Sequence, residues 1–221
     1  SACERKREVL CADRLDNAYS TSYTVSDDSG NYSATISGGD TVALVSNAHT
    51  REDGGTNWNN RITDGTTVNM DADYDALKAV ARTGSLVRDP KGNLMDVNYD
   101  TIICRAKSAV NFRLREIQKT IRVPGRGTMP GSADNDAAAI DDFNIIAVPW
   151  ITTNTSYWFG LDTSMKGDEY GLQYKESQPI MMEGPNVVFK TGEIQYKTTL
   201  MFDIGFNDPR NMCGSKNTNA A

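Results

Sequence analysis

The chain has 221 residues, 38% hydrophobic and 24% charged, with a formal net charge of −6 and mean hydropathy −0.50. That length can bury one large core or two closely joined ones, and no run approaches the roughly 20 apolar residues of a membrane-spanning helix. The acidic balance speaks against a dedicated nucleic-acid binder, whose affinity comes from Lys and Arg on phosphates, but not against an acidic shell that encloses DNA without gripping it.

The chain opens without Met on SACERKREVL, which has charges and no apolar signal core. Residues 3–19, CERKREVLCADRLDNAY, contain neither Gly nor Pro and predict a helix. Its apolar stripe is Cys11, Leu15, Ala18 and Tyr19, at i, i+4, i+7 and i+8. The upstream half is polar all round and starts without a capping residue, which reads as the last turns of a longer helix. Next, SYTVSDDSGNYSATI carries two β-rich runs around a turn and predicts a hairpin. TVALVS (41–46) reads as a buried strand.

DADYDALKAVARTG predicts a helix with Asp71 as N-cap, a face of Tyr74, Leu77, Val80 and Ala81, and Gly84 as the C-cap glycine. DPKGN (89–93) is a turn, YDTIICR a short strand, and AKSAVNFRLREIQKT a second amphipathic helix. Residues 124–139, PGRGTMPGSADNDAAA, read as a long, mobile surface loop. FNIIAVPW then reads as a buried strand, followed by SYWFGLD and YGLQYKE. The strongest periodic signal is EIQYKTTLMFDIGFN (193–207). Its even positions, Ile194 to Phe206, are mostly apolar and its odd positions mostly polar, so a long strand with the even face buried is predicted.

The single histidine, His49, lies in SNAHTREDGGTNWNN beside Glu52 and Asp53. Histidine is the side chain best suited to base chemistry or metal binding near neutral pH. A nucleophilic triad would also need an activated Ser or Cys; neither Ser46 nor Cys104 has a motif around it, and no GxSxG occurs. His49 with Glu52 and Asp53 would be an unspecific hard-cation site. A loop-shaping role, with His49 bonded to nearby backbone, is the better reading. The GRG and GTMPG stretches lack a P-loop's lysine. NYS (31–33) and NTS (154–156) fit the glycosylation pattern with no secretory signal to support it. Trp58, Trp150 and Trp158 read as core or interface anchors. The four cysteines, Cys3, Cys11, Cys104 and Cys213, lack CxxC spacing. Cys3 and Cys11, about 12 Å apart on a helix, cannot pair with each other. Reduced thiols are expected, the alternative being that Cys3 or Cys213 bridges to a neighbouring subunit. No catalytic, cofactor-binding or metal residue is assigned.

The order of CADRLDNAY, AHTREDGGTNWNN, an acidic helix followed by DPKGNLMDV, and a closing VVFKTGEIQYKTTLMFDIGFNDPRN resembles the major capsid proteins of tailed phages, most of all the head subunits of Mu-like phages. The resemblance spans most of the chain through loose motifs. It implies an α+β chain with the Hong Kong phage capsid fold. Residues 1–100 would hold the end of the spine helix and most of a peripheral domain with a long β-sheet. Residues 101–185 would form the axial domain, and 186–221 the return strand and C-terminal tail. That family places an N-terminal arm and an extended hairpin before the spine helix, and the sequence shows neither. The implied role is a non-enzymatic virion protein, assembled in the host cytoplasm. It would pack with itself as pentamers and hexamers around double-stranded DNA, with scaffold, portal or decoration proteins as further partners and no membrane or cofactor. The rival readings are a β-rich tail or receptor-binding module and a metal-dependent hydrolase using His49.

Overall fold

A computed structural model describes residues 2–27, 30–37, 40–66, 69–119, 143–165 and 169–216. The chain is mixed α/β, compatible with the α+β class. Helix α1 (Ala2–Asp16) leads to the hairpin β1 (Ser22–Asp27) and β2 (Gly30–Thr35). Helix α2 (Tyr74–Ser85), β3 (Thr101–Arg105), α3 (Ala109–Lys119), β4 (Asn144–Val148) and β5 (Tyr157–Leu161) follow. Two long strands, β6 (Leu172–Val187) and β7 (Ile194–Phe206), precede a short 3-10 turn (Pro209–Asn211) and β8 (Met212–Lys216).

The central sheet has the order β4-β3-β5-β8, with β3–β4 parallel and the other pairs antiparallel. Its inner strands β3 and β5 are short apolar runs because both faces are covered. Strict alternation sends Ile102, Cys104, Trp158 and Cys213 to one face, where Tyr74, Leu77 and Val80 of α2 and Val110, Leu114 and Ile117 of α3 pack. Ile103, Phe159 and Met212 turn to the other face, against Leu15 at the end of α1, Ala18, and the buried pair Leu44 and Val45. Gly160 permits a close approach: a Cβ there would lie 2.7 Å from Cys213 Sγ.

Several expectations need correction. Residues 43–46 are buried as expected but form bends, not a strand. Their backbone bonds go elsewhere, Val45 N–H to Ala18 O and Ser46 N–H to the Asn60 side chain. The N-cap of α2 is Asp73, whose carboxylate accepts from Ala76 N–H at 2.7 Å, rather than Asp71. Gly84 lies inside α2, where a Cβ would meet Val97 O at 2.1 Å; its role is close packing, and Leu86 is the C-cap. Strand β4 is an edge strand, since only β3 pairs with it among the described residues, and its Ile146 is exposed. The expected loop 124–139 lies outside the described residues.

The long strand at 193–207 is present as β7, but its face is not covered as expected. Among the described residues it pairs only with β6, in a two-stranded sheet that leaves the chain between β5 and β8. Near the base Ile204 is buried, and Phe202 packs on Tyr174 with ring centroids 5.6 Å apart. Further out Ile194 and Tyr196, on the same even face, are 59% and 61% exposed. Period 2 identified the strand; it did not supply the element that covers it.

Candidate functional site

Two features outside ordinary packing stand out, the His49 cluster and the projecting hairpin. Around His49 the chain doubles back: His49 N–H donates to Trp58 O (3.2 Å), and Trp58 N–H donates to His49 O (3.0 Å). The return between them uses Gly54 in the left-handed region (φ 70°). The imidazole, fully buried, stacks on the Trp58 indole at 4.4 Å and 20°, and the Arg210 guanidinium lies 5.3 Å from the same indole.

The ring's partners are side chains, Asp40 Oδ2 at 2.7 Å from Nδ1 and Asn60 Oδ1 at 3.1 Å from Nε2. Asn60 cannot be turned round. Its Nδ2 donates to Leu44 O (2.8 Å) and Met212 O (3.1 Å), while its Oδ1 also accepts from Ser46 N–H (2.8 Å). Oδ1 is therefore an acceptor, and Nε2 must carry a hydrogen. Nδ1 lies 2.7 Å from the Asp40 carboxylate, so both ring nitrogens are engaged by side chains of the loop.

Glu52 and Asp53 do not join His49. Both lie on the exposed return, where Asp53 bonds to Arg51 and accepts from Gly55 N–H. Those contacts, Gly55 N–H first and Arg51 second, hold the Asp53 carboxyl below the usual carboxylate range. Among the described residues no His, Cys, Asp and Glu side chains converge in a metal-binding group. A cleft of about 670 Å³ opens beside the cluster, lined in part by Asp40, Arg51, Glu52, Trp58, Asp208 and Arg210. Its charges are largely paired, Arg51 with Asp53 and Arg210 with Asp208. Ser46 and Cys104, the nucleophiles considered, are both buried, and burial raises the Cys104 pKa. Cys213 is fully buried too, its thiol pushed up to about 12 by desolvation, so it cannot bridge to a neighbouring subunit as the sequence allowed. Trp58 and Trp158 are core residues, whereas Trp150 is half-buried and donates to Glu8 on α1.

Sequence reasoning missed Asp40, Asn60 and Asp16. Asp16 accepts from the N–H groups of Thr152, Thr153 and Asn154 at 2.9, 2.9 and 2.6 Å, fastening the end of α1 to the loop before β5. The only signal for Asp40 and Asn60 was a polar type in a Gly- and Asn-rich setting, which many turns share, and Asp16 was one polar residue of a predicted helix.

The hairpin is the larger anomaly. Of the fourteen large hydrophobic residues exposed among the described residues, nine lie between Leu172 and Met201. Phe189, at the tip, is wholly exposed. A two-stranded hairpin is at best marginally stable in water by itself, and contiguous exposed apolar surface marks interaction sites. No helix among the described residues is long and apolar enough to cross a membrane. Comparisons with protein-family models, characterised proteins and solved structures gave no match.

Proposed function

We propose that the chain is a structural subunit that assembles with copies of itself, as the major capsid protein of a tailed-phage head with the Hong Kong phage fold. The observation that carries this reading is the β6–β7 hairpin, whose outer apolar side chains, Phe189, Ile194 and Tyr196 among them, have no cover within the described chain. An arm of this kind suits a protein that is completed by its neighbours. The sequence resemblance supplies the kind of assembly, pentamers and hexamers closing an icosahedral shell around double-stranded DNA. On this reading the protein is not an enzyme, its partners are other copies and the accessory proteins of the head, and it resides in the virion. The His49 cluster serves it by locking the loop over β8 against the end of α1.

The test is sedimentation and negative-stain electron microscopy of the purified protein. Capsomer-sized rings or closed shells are expected. A chain that stays monomeric at high concentration, or one whose metal-dependent hydrolysis disappears in His49→Ala, overturns the reading.

A further inference from the structure

The hairpin has two outer edges, and they differ. All three register shifts in the β6–β7 ladder place the extra residue on β6, which also contains Pro179 and Pro185. Bulges and prolines blunt an edge against further pairing. Strand β7 has no proline, and no other strand pairs with its outer edge among the described residues. Thirteen residues at about 3.4 Å each give it a reach of roughly 44 Å. Its backbone groups along that edge are a template for one more strand.

Charge selects the occupant. Within the hairpin Glu183 faces Lys197, and Lys175 faces Asp203. The Lys197 and Glu183 side chains approach to 3.8 Å. Now place a second β7 antiparallel to the first, with Leu200 opposite Leu200. Lys197 of each copy then falls opposite Asp203 of the other. Across the four strands the row reads Glu183, Lys197, Asp203, Lys175, alternating in sign, and the two-fold axis repeats it. Opposite charges directly across from each other stabilise a sheet, and like charges oppose it.

The same register matches the other face. Ile194 falls opposite Phe206, and Tyr196 opposite Ile204. With the hairpin's own pairing, one row becomes Val187, Ile194, Phe206, Leu172, apolar throughout. The outer residues Ile194 and Tyr196 are exposed in one copy, whereas Ile204 is buried and Phe206 half-buried. Pairing brings the uncovered half of one strand beside the covered half of the other. A slip by one residue would turn each even side chain toward the odd face and break both rows.

We propose that β7 pairs with β7 of a second copy, antiparallel about Leu200, making a continuous four-stranded sheet across a two-fold axis. The interface is isologous, the same surface on both partners. The inference rests on the self-assembly reading for naming a second copy as the partner, and it specifies one contact within that assembly.

The experiment reads the oligomeric state of the full 221-residue chain by sedimentation equilibrium. The unchanged protein should dimerise or assemble further. Lys197→Glu and Asp203→Lys should each weaken self-association at least about tenfold. The double variant restores the pair between copies but sets like charges against Glu183 and Lys175 within each hairpin, and should still associate more tightly than either single variant. Circular dichroism checks that each variant keeps its fold. Mild oxidation supplies a second readout, independent of charge. Leu200→Cys should cross-link as a covalent dimer above the background of the parent protein, because the two positions face each other at disulfide distance. Tyr196→Cys, although at a more exposed position, should not. If the single reversals associate as well as the double variant, or if Tyr196→Cys cross-links as readily as Leu200→Cys, the pairing is wrong. Should particles still form in that case, the shell reading survives without this contact. A dimer with the expected pattern but no larger particle would keep the contact and count against the shell. A monomeric parent protein would end both.

Discussion

Replacing Asn60 by Ala tests whether one side chain holds the loop, α1 and β8 together. Asn60 is fully buried and its side chain makes four hydrogen bonds, to Leu44 O, Met212 O, Ser46 N–H and His49 Nε2. Its removal leaves the two donors, Ser46 N–H and the imidazole N–H, without partners in a site closed to water. Each unsatisfied buried donor costs about 1–3 kcal/mol, and the vacated volume adds about 1 kcal/mol. A net loss of about 3–7 kcal/mol is the expectation, leaving aside the two carbonyls, which have second lone pairs. For a chain of this size each kcal/mol lowers the melting temperature by about 2–4 °C. Thermal denaturation followed by circular dichroism should therefore show a fall of roughly 6–28 °C. The control is Asn57→Ala, in the same loop but exposed, with one long bond of 3.4 Å to Ala48 O. It should cost under about 0.5 kcal/mol. If Asn60→Ala melted within about 2 °C of the unchanged protein, the network would not be what anchors this loop.

Gly84→Ala should destabilise by about 1–3 kcal/mol through overpacking against Val97 O, and Gly84→Asn should do no better. Were Gly84 a left-handed C-cap, Asn would be tolerated, so a clear advantage of Asn over Ala in urea denaturation would refute the packing role. Acid should destabilise the protein only at low pH. Asp53, held down by Gly55 N–H and Arg51, and Asp89, held down by the Asn93 side chain, both lie below the usual carboxylate range in the folded state. Their contribution is complete above the unfolded value, about 3.9, and is lost as pH falls through the lower folded values. The melting temperature should hold from pH 7 to about 5 and drop below about 4, with Asp53→Asn shallower in that lower range. A main loss between pH 5 and 7 would point to other groups.

The periodicity of 193–207, the apolar run in YDTIICR, the turn at 89–93 and the two amphipathic stretches around 74–85 and 109–119 were legible from neighbouring residues alone. Helix and strand periods, and the backbone freedom of Gly and Asn in turns, are local properties. The cover over each face depends on residues far away in the chain. TVALVS has a strand's composition, yet Val45 and Ser46 give their N–H groups to Ala18 O and Asn60, so no ladder forms. FNIIAVPW has the look of a buried strand, yet β4 ends at the sheet's edge because nothing described lies beyond it. The loop-shaping reading of His49 rests on the lack of a recognisable nucleophile or second histidine in the sequence. Its partners Asp40 and Asn60 lie nine and eleven residues away on opposite sides, and only the folded loop brings them to the ring. Alternation in β7 marks two faces, but the energy that buries a face comes from whatever docks on it. For Ile204 that is the body of this chain, whereas Ile194 and Tyr196 remain in solvent because no described part of the chain reaches them.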